Sequence, residues 1–437
     1  MKLRIEKAVY GGDGLARIPA DEPTSGGKTV FVPGTLPGEL VEASITTEHR
    51  SFSTAGLTTI LEPSPERVVP GCAYVPRCGG CQYQHAGAAF QLQMKLSILK
   101  ETLARAHVPV PAEIGSLAGP PWGYRNRIRL HVMKRAGVAL AYRRQGSHEL
   151  LPVTHCPIAA PLLEQAIAAV TRMGAEAGLD KLCDEVEFFT NSEQDQLLVS
   201  LWPGPRSHRQ PARLRDQALE AFAEQLHAQL PVLTGVGLFA EGEMMHWGQR
   251  SLTYTVSGHA YQASLGGFFQ VNRFLLPGLL QLAAENSAGE KRSGGVAWDL
   301  YSGAGLFARA LDFANVTAVE SAGFSADDLK HNLAGKAHRV VRSSTLDFLR
   351  NHSSGAAKAK PELILLDPPR AGLGKEICAH LGSVAAPAIV YISCDPATFA
   401  RDIQSLLPFK YSLETIHLVD LFPQTFHMET VTFLKRN

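Results

Sequence analysis

Residues 296–310 read VAWDLYSGAGLFARA. Val296 to Leu300 has the makings of a buried strand, Tyr301-Ser302-Gly303-Ala304-Gly305 of a tight turn, and Leu306 to Phe313 of a helix. Glycines set this closely let a cofactor approach the backbone where a helix begins. The full G-x-G-x-x-G is absent, because Ala308 occupies the third glycine position. The shortened form suits S-adenosylmethionine better than a dinucleotide, which needs a pyrophosphate cradle. Glu320, 21 residues after Asp299, ends the next apolar run, where a carboxylate can accept hydrogen bonds from ribose hydroxyls. A plain strand-to-helix turn has the same local form, so the surrounding sequence has to decide.

Downstream, Ala318-Val319, Leu363 to Leu366 and Ile389 to Ile392 are short apolar runs separated by helical stretches. That alternation predicts a doubly wound α/β domain with a parallel sheet. Two motifs then fall at strand carboxyl ends, where such sheets bind ligands. Asp367-Pro368-Pro369-Arg370-Ala371-Gly372 follows one strand, and its paired prolines force the chain out of the ladder. Ser393-Cys394-Asp395-Pro396 follows the other. It puts Cys394 near a helix start, where a thiol can be held partly as thiolate and act as a nucleophile. Cys183 and Cys378 read instead as small buried hydrophobes. Near the C-terminus, Glu429 precedes the run Val431 to Leu434. Burial there raises a carboxyl pKa toward the range useful for proton transfer, and the neighbouring His427 reads as a packing residue.

Upstream, residues 1–62 hold short strands punctuated by Gly11-Gly12-Asp13-Gly14, Pro33-Gly34 and Pro37-Gly38, the pattern of a small β-barrel. Pro63, Pro65 and Pro70 mark a linker. His85 to His107 reads as a helix with an apolar stripe of Leu92, Leu96, Leu99 and Leu103, leaving Lys95, Lys100 and Arg105 outside it. Strand and helix patterns mix from Trp122 to about Gln270. Cys72-x5-Cys78-x2-Cys81, with Cys156 as a possible fourth thiolate, has the irregular spacing of iron–sulfur ligation. Zinc more often uses two short pairs, and only one is present. Tyr124 to Arg144 contains Arg125, Arg127, Arg129, Lys134, Arg135, Arg143 and Arg144 and no acid. Arg125, Arg127 and Arg129 fall on one face of a strand at intervals of about 7 Å, a spacing suited to a phosphate backbone. A solvated β-face balanced by distant acids is the plainer alternative.

The chain as a whole has 437 residues, with 42 Lys and Arg against 41 Asp and Glu. Its 45% hydrophobic and 19% charged residues exclude disordered and fibrous classes. Without a long apolar window or a signal-like N-terminus, the expected location is the cytoplasm.

These motifs together resemble the RNA (uracil-5-)-methyltransferase family, specifically the members with an N-terminal TRAM domain and an iron–sulfur cluster. The resemblance covers essentially the whole chain. It implies a multidomain α/β protein in three parts. These are an OB-like TRAM barrel for RNA over 1–62, a central mixed α+β iron–sulfur and RNA-binding domain over 63–270, and a Rossmann-like methyltransferase domain over 271–437. It implies a [4Fe-4S] cluster on Cys72, Cys78, Cys81 and Cys156. FFQVN (268–272) implies that Gln270 contacts S-adenosylmethionine. DLYSGAG (299–305) implies contacts from Asp299, Tyr301, Gly303 and Gly305, with Glu320 and Asp367 completing the set. SCDPATFARD (393–402) makes Cys394 the attacking thiolate, and FPQTFHMETV (422–431) makes Glu429 the general base. Ser302 and Asp395 stand where the family often has cysteine and asparagine. The expected reaction is methylation of uridine C5 in 23S ribosomal RNA by a monomer, through a covalent adduct of Cys394 with C6 and with the arginine row on the RNA. A tRNA uridine-5 methyltransferase, a cytosine-5 enzyme and a noncatalytic iron–sulfur RNA-binding protein are the alternatives.

Overall fold

A computed structural model of the chain describes residues 1–18, 27–133, 139–204, 212–287, 295–311, 313–335, 338–353 and 360–437. Lys134, Arg135 and residues 312 and 354–359 lie outside the described residues. The chain divides into two units, and neither is one continuous stretch. The first comprises Met1–Thr102, Tyr142–Leu151 and Phe422–Met428, the second Leu103–Ala141, Pro152–Leu421 and Glu429–Asn437.

The first unit holds a closed five-stranded barrel built from Lys2–Ala8, Asp13–Arg17, Thr29–Pro33, Phe52–Glu62 and Leu40–Glu48, in that spatial order. Alternate residues point inward, so Leu3, Ile5, Ala16, Val30, Val32, Val41 and Ala43 make its core. Glu39 is fully buried beneath the barrel and takes Arg67 Nε at 2.6 Å and Nη2 at 2.8 Å. Burial alone would raise its carboxyl. Arg67 and the Leu36 and Ser64 N–H groups outweigh that and hold it below the ordinary range.

The helix Ala88–Arg105 departs from the expected stripe. Its buried face is Gln91, Met94, Lys95, Ile98, Leu99 and Leu103, while Leu92 and Leu96 are half-buried. Lys95, expected on the wet side, is fully buried, and its ammonium donates to Phe422 O at 3.0 Å. Beside it Gln91 exchanges two hydrogen bonds with Gln424. Its Nε2 donates to Gln424 Oε1 at 2.9 Å and its Oε1 accepts from Gln424 N at 2.8 Å. Gln424 O in turn accepts Gln82 N and Tyr83 N, at 3.0 and 2.9 Å. The Phe422–Met428 segment is thus held by the helix and by the turn that follows Cys81.

In the second unit an eight-stranded sheet runs Arg339–Arg342, Asn315–Glu320, Val296–Leu300, Leu363–Leu366, Ala388–Ser393, Glu429–Arg436, Tyr411–Val419, Gly115–Leu117. The first five strands are parallel. Glu429–Arg436 then enters antiparallel to its neighbours on both sides. Strand order reverses between Val296–Leu300 and Leu363–Leu366, and such a switch point opens a crevice at the strand carboxyl ends. The Gly115–Leu117 strand beside Tyr411–Val419 brings residues from the expected central region into this sheet. A second, mixed sheet carries Glu243–Gly248, Leu233–Ala240, Leu197–Trp202, Glu185–Thr190, Arg127–Met133 and Ala139–Arg143 in order. No helix among the described residues is long and apolar enough to cross a membrane.

Candidate active site

The turn after Val296–Leu300 needs its glycines for two different reasons. Gly305 sits at φ +85°, and a Cβ there would lie 2.7 Å from Leu329 Cδ1, so only glycine lets the turn meet the Gly323–Asn332 helix. Gly303, at φ +54°, has nothing within 4 Å of its Cβ position, leaving space over the turn. Tyr301 itself holds φ +68°, a strained conformation for a side chain of its size. Glu320 ties the turn to the next strand end. It accepts Gly303 N at 2.9 Å on one oxygen and the Ser321 and Ala322 N–H groups, each at 2.7 Å, on the other. A cavity of about 190 Å³ opens beside it, lined by Tyr301, Glu320, Ser343, Thr345, Leu346 and Ile377.

Asp367, Cys394 and Glu429 meet at one edge of three adjacent strands, the carboxyl ends of the two parallel ones and the start of the antiparallel Glu429–Arg436. Leu366 pairs with Tyr391 in parallel, so Asp367 leaves its strand beside the next one. Ser393 pairs with Thr430 in the antiparallel ladder, which places Cys394 and Glu429 next in register. Gln270 joins them, its Nε2 donating to Asp367 Oδ2 at 3.3 Å. Its own backbone carbonyl accepts Asn126 Nδ2 at 2.9 Å. Beyond Cys394, Asp395 caps the Pro396–Leu406 helix by accepting Ala397 N and Thr398 N at 3.0 and 2.9 Å.

This edge is acidic and dry. Asp299 is fully buried, which pushes its pKa up to about 7; the Ser302 hydroxyl and Ala308 N–H oppose the rise, while Asp367 and Glu320 add to it. Burial likewise lifts Asp367 to about 7, with Gln270 opposing. Glu429, 3% exposed, stands well above the ordinary carboxyl range through burial and the nearby Asp367, with Arg370 opposing. One of its oxygens, Oε1, is buried without a hydrogen-bond partner. The acids also govern Cys394, whose pKa is raised to about 12 by burial, Glu429 and Asp367 against the pull of Arg370. The expectation of a partly ionised Cys394 is therefore corrected. The helix start is outweighed by two carboxyl groups and a low dielectric, and the resting group is a thiol.

The arginine row is also different from its reading as bare cations. Arg127 is mostly buried and lies over the Phe189 ring at 4.0 Å. It donates to Gly267 O at 2.5 Å and pairs with Glu187 at 3.5 Å. Arg129 meets Glu187 at 3.1 Å and Glu185 at 3.6 Å, above the Trp202 ring. Glu185 and Glu187 come from the antiparallel neighbour strand, which a scan of local charge does not reach. Arg125 precedes the strand Arg127–Met133, with its guanidinium 5.8 Å from the Tyr124 ring centroid.

The thiols separate into two kinds. Cys183 and Cys378 are buried apolar fillers, as expected. Cys72, Cys78 and Cys81 are buried in the first unit and Cys156 belongs to the second, all without disulfides. Cys78 Sγ accepts Gly80 N at 3.4 Å. No set of three or more His, Cys, Asp or Glu side chains among the described residues is gathered to hold an ion.

Comparison with known proteins agrees with this architecture. The profile of the TRAM domain matches residues 1–58. An uncharacterized RNA methyltransferase of Streptomyces avermitilis is 30% identical over 99% of this chain and 98% of its own length. A 23S rRNA (uracil(1939)-C(5))-methyltransferase RlmD of Pectobacterium atrosepticum is 32% identical over 93% of this chain and 88% of its own. The crystal structure of Pyrococcus abyssi tRNA (uracil-54, C5)-methyltransferase with S-adenosyl-L-homocysteine superposes with a TM-score of 0.73 at 21% identity, covering 99% of this chain and 100% of that one. At that identity it shows the shared fold. The tRNA (uracil-5-)-methyltransferase profile matches residues 87–437, and the chain belongs to that family of methyltransferases.

Proposed function

We propose that this enzyme methylates C5 of a uridine in 23S ribosomal RNA, with Cys394 as nucleophile and Glu429 as base. The observation that carries the reading is the register that brings Cys394, Glu429 and Asp367 to one strand edge beside the open glycine turn. S-adenosylmethionine, when bound, supplies the methyl group. The residues present fit it. Glu320 and Tyr301 line a cavity of nucleoside scale, and Asp367 with Gln270 offers negative charge and an amide near the reacting edge. Asp299, Gly303 and Gly305 shape the turn between them.

Uracil C5 is too weak a nucleophile to take a methyl group directly. As the Cys394 sulfur bonds to C6, the thiol proton passes to the ring carbonyl oxygen conjugated with C5, and the displaced C5–C6 electron pair makes C5 an enol carbon. C5 takes the methyl group, Glu429 removes the C5 proton, and re-formation of the C5–C6 double bond expels the Cys394 sulfur. The base lies stacked in folded RNA, so it has to be flipped into the pocket. The barrel, Arg125 and the exposed part of Arg129 are proposed to hold the surrounding RNA, while Arg127 stays within the fold.

The relatives named for 23S rRNA favour ribosomal over transfer RNA. Labelled methyl transfer to unmodified 23S rRNA and to unmodified tRNA, followed by nucleoside analysis, tests the choice. 5-Methyluridine in the ribosomal RNA alone is expected; the same product in tRNA alone refutes the substrate and keeps the chemistry.

A [4Fe-4S] cluster on Cys72, Cys78, Cys81 and Cys156 is a separate part of the proposal. Its support is the ligand spacing, the burial of Cys72, Cys78 and Cys81 without disulfides, and the N–H···S bond at Cys78, a contact that tunes such clusters. Iron and acid-labile sulfide analysis of anaerobically purified protein decides it. An iron-free protein of full activity leaves these cysteines as ordinary thiols.

A further inference from the structure

Asp402 is fully buried yet lies outside the reacting edge, and its carboxylate collects donors from three elements. Oδ2 accepts Leu373 N at 2.6 Å and the Tyr391 hydroxyl at 2.9 Å. Oδ1 accepts Gly374 N at 3.2 Å, Arg401 Nε at 3.0 Å and Arg401 Nη2 at 2.8 Å. Leu373 and Gly374 end the loop that begins at Asp367. Tyr391 lies in the strand that ends at Ser393, just before Cys394. Asp402 itself stands in the Pro396–Leu406 helix, which follows Cys394 directly.

Two further bonds close the same seam. Arg401 Nη2 donates to Ala371 O at 2.8 Å, and Thr398 Oγ1 donates to Arg370 O at 3.1 Å. Gly372 makes the approach possible. It sits at φ +70°, and a Cβ there would lie 2.3 Å from Asp402 Oδ2. A buried carboxylate so fully satisfied has one geometry available, because losing any donor leaves charge unpaired in a dry site.

We propose that Asp402 is a positioning residue for methyl transfer: it locks the loop carrying Asp367 and Arg370 against the Pro396–Leu406 helix that follows Cys394. The acid and the cation that bear on the thiol then stand at fixed distances from it. This rests on the reading of Cys394 as nucleophile. Arg370 is the group that opposes the upward shift of both Cys394 and Glu429, so a slack loop makes the thiol harder to ionise.

The test compares Asp402→Asn, Thr398→Val and Thr398→Ser with the full-length protein. It reads kcat and KM for both substrates, the melting temperature, and the rate of iodoacetamide alkylation at Cys394 resolved by peptide mass spectrometry. Folded Asp402→Asn is expected to lose roughly 10- to 100-fold in kcat, with both KM values within about threefold, since small misplacements act on the chemical step. Its Cys394 alkylation at fixed pH is expected to slow in parallel. Should Asp402→Asn not fold, the threonine pair carries the test: Thr398→Val slows both readouts several-fold and Thr398→Ser restores them. A folded variant whose kcat and alkylation rate do not fall together overturns the inference. Cys394→Ser run alongside separates the two failures, because a Cys394→Ser protein of normal rate refutes the nucleophile assignment instead.

Discussion

The two charged regions of the second unit have been treated in opposite ways. Along the Arg127–Met133 strand each arginine meets a carboxylate from the facing strand, so Arg127 and Arg129 are cancelled by Glu185 and Glu187. At the sheet's carboxyl edge Asp299, Asp367 and Glu429 stand near one another with their pKas raised, and Arg370 gives partial relief. Neutralised charge contributes to the fold. Like charges left together in a dry place cost stability, and such costs concentrate where a ligand or reaction uses them. A bound sulfonium is the natural complement to that edge.

The comparison can be broken most forcefully at the thiol. Cys394→Ala is expected to lower single-turnover methyl transfer by about 10⁴-fold or more, and a rate within tenfold of the parent protein would remove the chemical meaning of the acidic edge. Glu429→Gln is expected to slow product release by about 10²- to 10³-fold and to leave a covalent protein–RNA adduct visible on denaturing gels. Arg127→Ala tests the opposite side. It takes from Glu187 one of its two arginines and from Gly267 O its donor, and should cost about 2 kcal/mol in urea denaturation, roughly thirtyfold in the folding equilibrium. RNA affinity per folded molecule should stay unchanged, and a loss of affinity without a loss of stability would make Arg127 an RNA contact after all.

The smallest effect is on cofactor binding. Asp299 and Asp367 titrate near 7, so a cationic ligand prefers their ionised forms. S-adenosylmethionine affinity should rise about tenfold between pH 5.5 and 8, while neutral S-adenosylhomocysteine changes less; calorimetry in both buffers checks it. The same raised pKas act oppositely on folding. The native state keeps protons that the unfolded chain releases, so these acids lower stability as pH climbs from about 4 to about 7. Asp299→Asn should flatten that slope.

Much of this was readable before any coordinates. The barrel, the glycine turn, the parallel strands and the burial of Glu429 all follow from local periodicity and punctuation. What stayed hidden depends on partners far along the chain. Glu187 sits 58 residues from Arg129, and nothing near Arg129 announces it. Lys95 looked wet because no local pattern foretells a carbonyl 327 residues away. Cys394 looked ionised because its helix start is visible in sequence, while the two carboxyl groups that oppose ionisation arrive from other strands. The Gly115–Leu117 strand is too short to carry a period of its own.

The path of the backbone bears on how this protein can be taken apart. The chain passes between its two units at residues 102–103, 141–142, 151–152, 421–422 and 428–429. The barrel together with Ser64 and Arg67, which hold buried Glu39, is a contiguous piece within residues 1–67 that gene fusion or recombination could move. The rest of its unit is not. A fragment ending at residue 102 would strip Gln91, Gln82 N and Tyr83 N of Gln424 and leave Lys95 buried without its carbonyl. Restoring it would take the Phe422–Met428 segment added back in trans, so these halves should behave as complementing fragments rather than as separable modules.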